Sequence, residues 1–238
     1  MKYNHKIVEG IFVKRKNRFV AQCEIDHQLK EVHVPNTGRC RELLKKGVTV
    51  YMTYHDNPHR KTNYTLTSVE KGNLLVNIDS SAPNKIVEEA LKKGKIPLDF
   101  TPKVIRREYT YGKSRLDFYL EGEGKKALME VKGVTLEQDG IVAFPDAPTL
   151  RGLKHIRELE EGLEDGYQSY IVFVIQMNRG KFFVPNHKMQ KDFGQELKRA
   201  EEKGVKILCY TCLVSPDGIQ LKNQIPYYLE DEYEFTTG

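Results

Sequence analysis

Residues 108–132, E-Y-T-Y-G-K-S-R-L-D-F-Y-L-E-G-E-G-K-K-A-L-M-E-V-K, contain three strand-like runs separated by two turn signals. Glu123 and Gly124 suit the centre of a tight hairpin turn, and with them there Asp117 lies directly opposite Glu130. The same register gives the other face an apolar set: Leu116, Phe118, Leu120, Ala127, Met129 and Val131. The stretch therefore predicts an antiparallel hairpin with one charged face and one core face.

A second turn at Gly112 and Lys113 extends the charged face across a third strand. It places Glu108 opposite Asp117, so that three carboxylates lie in a row. Opposed Cβ atoms on one sheet face are about 5 Å apart, and like charges at that distance are destabilising. Because a divalent cation would relieve this repulsion, Glu108, Asp117 and Glu130 are predicted ligands for Mg²⁺.

Lys132 adds a chemical capacity to the charged face. It lies two residues after Glu130, where its ammonium group could orient an attacking water or neutralise charge on a phosphate. We therefore predict Asp117, Glu130 and Lys132 as catalytic residues for phosphodiester hydrolysis. The alternative is a solvated face whose charged side chains pair with one another. Spacing alone favours this alternative, since a D…E-x-K pattern is short.

The segments around the hairpins predict an α/β domain. A polar loop is expected between residue 132 and the second of three helices. The expected helices are at residues 84–94, 149–163 and 190–204, and the strands at 104–111, 114–120, 127–132, 170–177 and 205–214. The order αβββαβαβ predicts a mixed sheet with helices on both faces.

The first 80 residues have a different rhythm. Five or six short strand-like runs are separated by turn residues, with one short helix expected at residues 41–46. This pattern is typical of a small β-barrel of the OB type, which commonly binds single-stranded nucleic acid; an SH3-like barrel is the alternative. The turn-rich residues 80–83 predict a boundary between a first domain at 1–80 and a second at 81–238.

The charge of the chain is distributed unevenly. The net charge is +5, but residues 1–80 contain 14 Lys and Arg against 8 Asp and Glu, whereas the remainder contains 24 against 25. A basic first domain indicates attraction to a polyanion, although solubility alone explains the counts nearly as well. The candidate contacts are Lys14, Arg15, Lys16, Arg18, Asn36, Arg39 and Arg41, with Tyr51, Tyr54 and Tyr64 as a stacking platform. A structural turn at Asn36 and core packing of the tyrosines explain these residues equally well.

Composition excludes several classes of protein. No segment approaches the ~20 apolar residues needed to cross a bilayer, and the N-terminus lacks the apolar stretch of a secretory signal. The C-x-x-C pair Cys209 and Cys212 has no second pair to complete a zinc site, so buried thiols are expected. We expect a cytoplasmic protein with no membrane association and no organic cofactor, and leave open whether it forms a homodimer.

Four motifs carry a family resemblance. S-R-L-D-F at 114–118, M-E-V-K-G-V-T-L at 129–136, F-P-D-A-P-T-L-R-G-L-K-H at 144–155 and V-P-N-T-G-R at 34–39 resemble the sugar fermentation stimulation protein family. The resemblance implies an OB-like domain followed by a restriction-endonuclease-like domain of the PD-(D/E)xK type. It also implies non-specific DNA binding and a connection to sugar metabolism.

The same resemblance implies roles for particular residues. Asp117, Glu130 and Lys132 match the nuclease motif, and the Val131 carbonyl would join them in binding Mg²⁺ or Mn²⁺. A glutamate of the first helix would complete the site, with Glu88 preferred over Glu89. Arg151 and His155 are four residues apart on one helix face and would hold a phosphate, although surface decoration explains them equally well without the resemblance. Two further substrate-binding candidates are Arg115 and Thr149.

These observations support a DNA-binding protein with little sequence preference and a metal-dependent phosphodiesterase site. Its DNA is expected to be single- or double-stranded. One alternative is a non-catalytic DNA-binding regulator of sugar (maltose-type) metabolism that keeps the nuclease fold. Another is an RNA-binding or RNA-processing protein, because an OB-like barrel does not by itself choose between the two sugars.

Overall fold

The computed structural model describes residues 1–36, 38 and 40–230 of the 238-residue chain. Its first part is a β-barrel. The strands are β1 (Lys6–Arg15), β2 (Val20–Ile25), β3 (Gln28–His33), β4 (Thr49–Tyr54), β5 (Tyr64–Lys71) and β6 (Leu74–Asn77). They hydrogen-bond in the order β3-β2-β1-β4-β5-β6, and β3 also pairs with β5. This extra pairing closes five strands into a barrel and confirms the OB-like prediction.

The prediction of a short helix at residues 41–46 is wrong. Residues 41–43 form a turn, in which the Leu43 and Leu44 N–H groups both donate to the Cys40 carbonyl, at 3.2 and 2.9 Å. So short a segment makes too few backbone hydrogen bonds to offset the cost of starting a helix.

The second part of the chain is built on a six-stranded mixed sheet. Its elements are α1 (Ala82–Lys92), β7 (Val104–Tyr111), β8 (Ser114–Gly122), β9 (Lys125–Val134), β10 (Leu136–Gln138), β11 (Ile141–Phe144), α2 (Leu150–Glu164), β12 (Gln168–Ile175), β13 (Phe182–Pro185), α3 (Lys191–Lys203), β14 (Lys206–Ser215) and β15 (Gly218–Gln224). The sheet order is β15-β14-β12-β9-β8-β7, with β12 parallel to both β9 and β14. Strands β7, β8 and β9 form an antiparallel meander.

Helices cover both faces of this sheet, as the sequence predicts. Helix α1 buries Ile86 and Leu91 in the same core cluster as Phe118 of β8. Helices α2 and α3 bury Leu159 and Leu197 in a second cluster on the other face. The fold is therefore α/β with an OB-like barrel followed by a restriction-endonuclease-like sheet.

Four short strands were missed in the sequence pattern. The polar loop expected after residue 132 is wrong, since β9 continues to Val134 and the chain then forms β10 and β11. Strand β11 pairs in parallel with β13, so that Ile141 lies beside Phe182. Strand β15 pairs with β14 at the sheet edge. Segments of three to seven residues show few alternations, and their pairing partners are distant in sequence.

The two hairpins have the predicted register but not the predicted faces. Glu123 and Gly124 both have positive φ, as a primed turn requires, and Phe118 pairs with Met129. Glu108 has a φ of 53°, however, and Leu116 joins the core cluster on the side opposite Phe118. The expectation that Leu116 and Phe118 share a face is therefore wrong, because the alternation breaks at Asp117 and its neighbour Glu108.

The two domains pack directly against each other. The Asn77 N–H donates to the Gln176 carbonyl at 2.8 Å, and the Gln176 amide donates back to the Asn77 side chain at 2.9 Å. Lys71 of the barrel pairs with Glu137 of β10 at 2.6 Å. In this arrangement Lys14 and Arg41 of the barrel line one groove together with Pro148, just before α2.

The cysteines and the helices were both the subject of sequence predictions. All four cysteines are free and buried, as predicted for Cys209 and Cys212. Within the described residues, none of the helices has the length and apolarity needed to cross a membrane.

Candidate active site

Asp117 lies where the alternation of β8 breaks, and two donors hold its carboxylate. Oδ2 accepts a hydrogen bond from the Val131 N–H at 2.8 Å, and Oδ1 accepts one from the Asn84 amide at 2.6 Å. Asn84 belongs to the first part of α1, so a helix and a neighbouring strand together fix this carboxylate. Sequence reasoning did not identify Asn84. It lies four residues before the proposed Glu88, on the same helix face.

Glu130 is the most buried acid of the cluster, with 3% of its surface exposed. Its Oε1 accepts a hydrogen bond from Lys132 Nζ at 2.6 Å and also contacts His155 Nδ1. Its Oε2 is buried and has no hydrogen-bond partner among the residues that the structure describes. A buried acceptor without a partner costs about 1–3 kcal/mol, more when charged, so this oxygen is suited to an additional positive ligand.

Burial and neighbouring charge separate the acidities of the two carboxylates. Burial and the nearby Glu130 raise the pKa of Asp117 from 3.8 to about 6, against the opposing effect of Val131 N–H and Lys132. Burial also acts to raise the pKa of Glu130, but the charge of Lys132 and the contact with His155 outweigh it and lower that pKa. Glu130 is thus the ionised member, and Asp117 would ionise fully beside a cation.

His155 is a buried neighbour of Glu130. Only 2% of its surface is exposed. Its Nε2 accepts a hydrogen bond from Arg151 Nε at 3.2 Å, which leaves the ring proton on Nδ1 facing Glu130 Oε1. In the structure the His155 side chain contacts the Glu130 carboxylate, and phosphate binding by His155 stays a prediction. The Thr149 hydroxyl caps α2 by accepting from the Gly152 N–H at 2.9 Å, and its role in substrate binding stays a prediction.

Two predicted metal ligands lie away from this cluster. The positive φ of Glu108 breaks the strand alternation, and its carboxylate pairs with Arg115 at 2.9 Å on an exposed surface. Glu88 lies one helical turn beyond Asn84, where it pairs with Lys92 at 2.5 Å and Arg107 at 3.3 Å. The structure thus pairs both carboxylates with basic side chains rather than with the Asp117 and Glu130 cluster, and metal binding by Glu108 and Glu88 stays a prediction.

The remaining donor set fits a hard cation. Over residues 1–36, 38 and 40–230, no group of three or more His, Cys, Asp or Glu side chains is arranged around a metal position. Asp117 and Glu130 nevertheless bring two carboxylates together, and one Glu130 oxygen has no hydrogen-bond partner among the described residues. Val131, which follows Glu130, donates its N–H to Asp117 and has a backbone carbonyl that could also bind a cation. Mg²⁺ commonly uses one or two protein carboxylates and completes its shell with water.

A basic cleft adjoins this cluster on the side of α2. We call it the α2 cleft. His155 forms part of its lining, and Leu150 lies at its edge with 81% of its surface exposed. The cationic residues that line it are Lys113, Arg115, Arg151 and Lys154. This arrangement brings positive charge next to the Asp117 and Glu130 carboxylates, where a phosphate backbone would be attracted.

A second basic surface lies between the domains. We call it the interdomain groove. Pro148 and Ala147 form its wall on the side of the second domain. Its cationic lining consists of Lys14, Arg15, Arg18, Arg41 and Lys46, of which Lys46 was missed although it follows Lys45 in a basic pair. The structure thus brings together four of the cations proposed for the first domain.

Three of the predicted contacts of the first domain have partners within the protein. Arg15 donates to the backbone carbonyls of Asn17, Arg18, Asn36 and Gly38, so it stabilises two loops. The Asn36 side chain accepts from the Gly38 N–H at 2.7 Å, which is the structural turn named as its alternative. Lys16 pairs with Glu31. Arg39 lies outside the described residues.

The predicted tyrosine platform does not line the groove. Tyr54 and Tyr64 contact each other, with ring centroids 5.3 Å apart, and Tyr51 donates to Glu70 at 2.9 Å. Tyr64 also packs on the core, as the alternative interpretation proposed.

The fold and the site define a class of protein in which an OB-like barrel precedes a restriction-endonuclease-like domain. Residues 13–78 match the family model of the SfsA N-terminal OB domain, and residues 81–218 match that of the sugar fermentation stimulation protein RE domain. The chain belongs to the sugar fermentation stimulation protein family.

Curated relatives and a solved structure agree with this assignment. A sugar fermentation stimulation protein homolog of Clostridium beijerinckii is 48% identical over 229 residues, which cover 96% of this chain and all of the relative. A homolog of Desulfitobacterium hafniense is 50% identical, with 92% of this chain and 95% of the relative covered. The structure of Pyrococcus furiosus SfsA in complex with Ca²⁺ is similar with a TM-score of 0.86 and 29% identity, covering 96% of this chain and 98% of that one.

Proposed function

We propose that this protein binds DNA with little sequence preference and hydrolyses its phosphodiester bonds at Asp117, Glu130 and Lys132 with Mg²⁺ or Mn²⁺. The observation that carries the proposal is the buried Oε2 of Glu130, which has no hydrogen-bond partner within the described part of the chain and lies beside Asp117, next to a cleft lined by cations. If these two acids and the lysine had no function, the unpaired buried oxygen would only lower the stability of the fold. Such a costly arrangement is typical of functional sites.

Asp117, Glu130 and the Val131 carbonyl are the groups that would hold the cation. The Pyrococcus furiosus relative was solved in complex with Ca²⁺, which supports a hard divalent cation as a ligand of this fold. When bound, Mg²⁺ or Mn²⁺ would lower the pKa of a water molecule and polarise a phosphoryl oxygen.

The side chains around the carboxylates orient them for this chemistry. Asn84 fixes one oxygen of Asp117, and His155 fixes one oxygen of Glu130. Hydrogen bonds to metal-binding side chains commonly raise metal affinity by roughly 10–100-fold. Lys132, whose side chain is 13% exposed, faces the same Glu130 oxygen and would orient the attacking water or neutralise charge on the phosphate.

The α2 cleft would hold the DNA backbone. Arg151, Lys113 and Lys154 are charged groups that can contact phosphates next to the carboxylates. Phosphate contacts position a nucleic acid without reading its bases. Little sequence preference is therefore expected of binding through this surface.

The test is cleavage of labelled single- and double-stranded DNA in Mg²⁺, Mn²⁺ or EDTA. We expect metal-dependent cleavage that is lost in Asp117→Asn and Glu130→Gln, while Lys222→Ala, a substitution of an exposed residue of β15, cleaves normally. DNA that is bound with a steep dependence on salt but remains intact under all conditions would support the non-catalytic regulator instead. Preferential binding of RNA in competition would support the RNA-binding alternative.

A further inference from the structure

We infer that the interdomain groove is a binding site for single-stranded DNA. The groove has a volume of about 790 Å³ and lies between the turn that joins β1 to β2 and residues 147–148, just before α2. This volume is in the range of about 300–1,000 Å³ that is typical of ligand sites.

The charge of the groove fits a polyanion. Four cations besides Arg15 line it, and no acidic residue is among its described lining residues. Elsewhere on the same domain, Lys16 is neutralised by Glu31. Within the described parts of the chain, none of the four groove cations takes part in an ion pair: Lys14, Arg18, Arg41 and Lys46. Cations without acidic partners can neutralise phosphates and release the counterions that surround a nucleic acid.

The apolar part of the lining favours a single strand over a duplex. Val13, Leu44, Ala147 and Pro148 lie among the cations. The bases of a single strand expose flat apolar faces that can pack on such a surface. A duplex hides those faces and presents its phosphates and sugars outward, so it would leave the apolar lining without a partner.

The groove wall is held in place before any ligand arrives. Arg15 connects the loop at Asn17 and Arg18 to the loop at Asn36 and Gly38 through its hydrogen bonds to their carbonyls. A wall that is already ordered loses less conformational entropy on binding. Arg15 is thus a supporting residue, and the other four cations are the ones that would contact phosphates.

The groove leads toward the candidate active site. Pro148 lies in the groove, Thr149 follows it, and Leu150 and Arg151 lie in the α2 cleft. From Leu150 to His155 the helix rises about 7.5 Å. A strand bound in the groove would therefore pass the start of α2 and reach Glu130 within a few nucleotides. Binding in the groove rests on the DNA binding of the proposed function, and this delivery rests also on the proposed hydrolysis.

The experiment compares fluorescence anisotropy of a labelled 20-nucleotide oligo-dT, the matched duplex and oligo-rU, in EDTA so that nothing is cleaved. The wild type is expected to bind oligo-dT more tightly than the duplex. The double variant Arg41→Glu, Lys46→Glu should raise the Kd for oligo-dT at least about tenfold. The slope of the logarithm of the binding constant against the logarithm of the salt concentration should become shallower by roughly 1.4, because two phosphate contacts are lost. Lys222→Glu makes the same kind of charge change outside the groove and should bind as the wild type.

The single variant Lys14→Glu repeats the measurement if circular dichroism shows that the double variant misfolds. The inference is overturned if the folded groove variants bind oligo-dT as Lys222→Glu does, if the duplex binds more tightly, or if oligo-rU displaces oligo-dT preferentially. A separate incubation with Mn²⁺ distinguishes the two proposals. Groove-dependent binding without cleavage overturns only the proposed hydrolysis, and cleavage with groove-independent binding overturns only the groove.

Discussion

His155 of α2 and Glu130 of β9 are joined by a hydrogen bond from the ring Nδ1 to the carboxylate Oε1, and both side chains are almost fully buried. Arg151 completes the chain of contacts by donating to the opposite ring nitrogen at 3.2 Å. An imidazole fixed on both sides has one orientation and one tautomer. Helix α2 therefore sets the position of a carboxylate on the central sheet.

Replacement of His155 should weaken metal binding without removing a metal ligand. His155→Ala leaves Glu130 held by Lys132 alone, and we expect Mn²⁺ affinity to fall about 10–100-fold. Titration calorimetry with Mn²⁺ measures this directly. His155→Asn, whose amide can donate to the same oxygen, should recover part of the affinity.

The control for His155 is Arg157→Ala on the same helix. Arg157 is exposed and pairs with Glu196 on α3, away from the carboxylates. Its replacement should leave Mn²⁺ affinity unchanged. Equal losses in both variants would mean that His155 acts on the stability of α2 rather than on Glu130.

Lys132 should matter for turnover more than for metal binding. Lys132→Met keeps much of the side-chain volume and removes the charge, so Glu130 loses a cation that competes with the metal. We expect cleavage to fall by roughly 10²–10³, the cost of removing one group that stabilises transition-state charge. Mn²⁺ affinity measured by calorimetry should stay the same or increase, and a parallel loss of metal binding would contradict the separate role.

Asp117 should make the stability of the metal-free protein fall as the pH rises. Its pKa in the folded protein is about 6, above the ordinary value of 3.8, so the folded state binds the proton more tightly than the unfolded state. The resulting stabilisation is complete below about pH 4 and is lost as the pH rises through 6. Its size is on the order of 2–3 kcal/mol.

Urea unfolding in EDTA at pH 5 and pH 8 tests this dependence. The difference in the free energy of unfolding between the two pH values should be smaller in Asp117→Asn, which cannot ionise. Adding Mg²⁺ at pH 8 should stabilise the wild type and have little effect on the variant, since a bound cation favours the ionised carboxylate. Identical pH dependence in the two proteins would mean that Asp117 titrates normally.

The sequence predicted the hairpin register because turn chemistry and alternation both act over short distances. Glu123 and Gly124 set one hairpin, and the pairing of Phe118 with Met129 follows from them. The break at Asp117 was not predictable in this way. It depends on the positive φ of Glu108 on the neighbouring strand and on a hydrogen bond from the Val131 N–H.

The distance between residues in the sequence also decides which residues of the candidate site could be predicted. Asp117, Glu130 and Lys132 are close in sequence or in hairpin register, so a pattern can reveal them. Asn84 reaches Asp117 from a helix 33 residues away, and only packing decides whether it or Glu88 makes that contact. The interdomain groove depends on domain packing in the same way, because Pro148 and Lys46 meet only when the barrel rests on the second domain.

Variants of Glu108 test whether only Asp117 and Glu130, of the three predicted carboxylates, bind the metal. A residue with a side chain at a φ of 53° is strained by about 1–2 kcal/mol, a cost that glycine does not have. Glu108→Gly should therefore raise the free energy of unfolding by roughly 1 kcal/mol, because the exposed pair with Arg115 that it also removes contributes little. Glu108→Gln removes the pair but keeps the strain, and should change stability by less than about 0.5 kcal/mol. Urea unfolding measures both, and Mn²⁺ affinity should be unchanged in each, whereas a loss of affinity in both variants would restore Glu108 as a metal ligand.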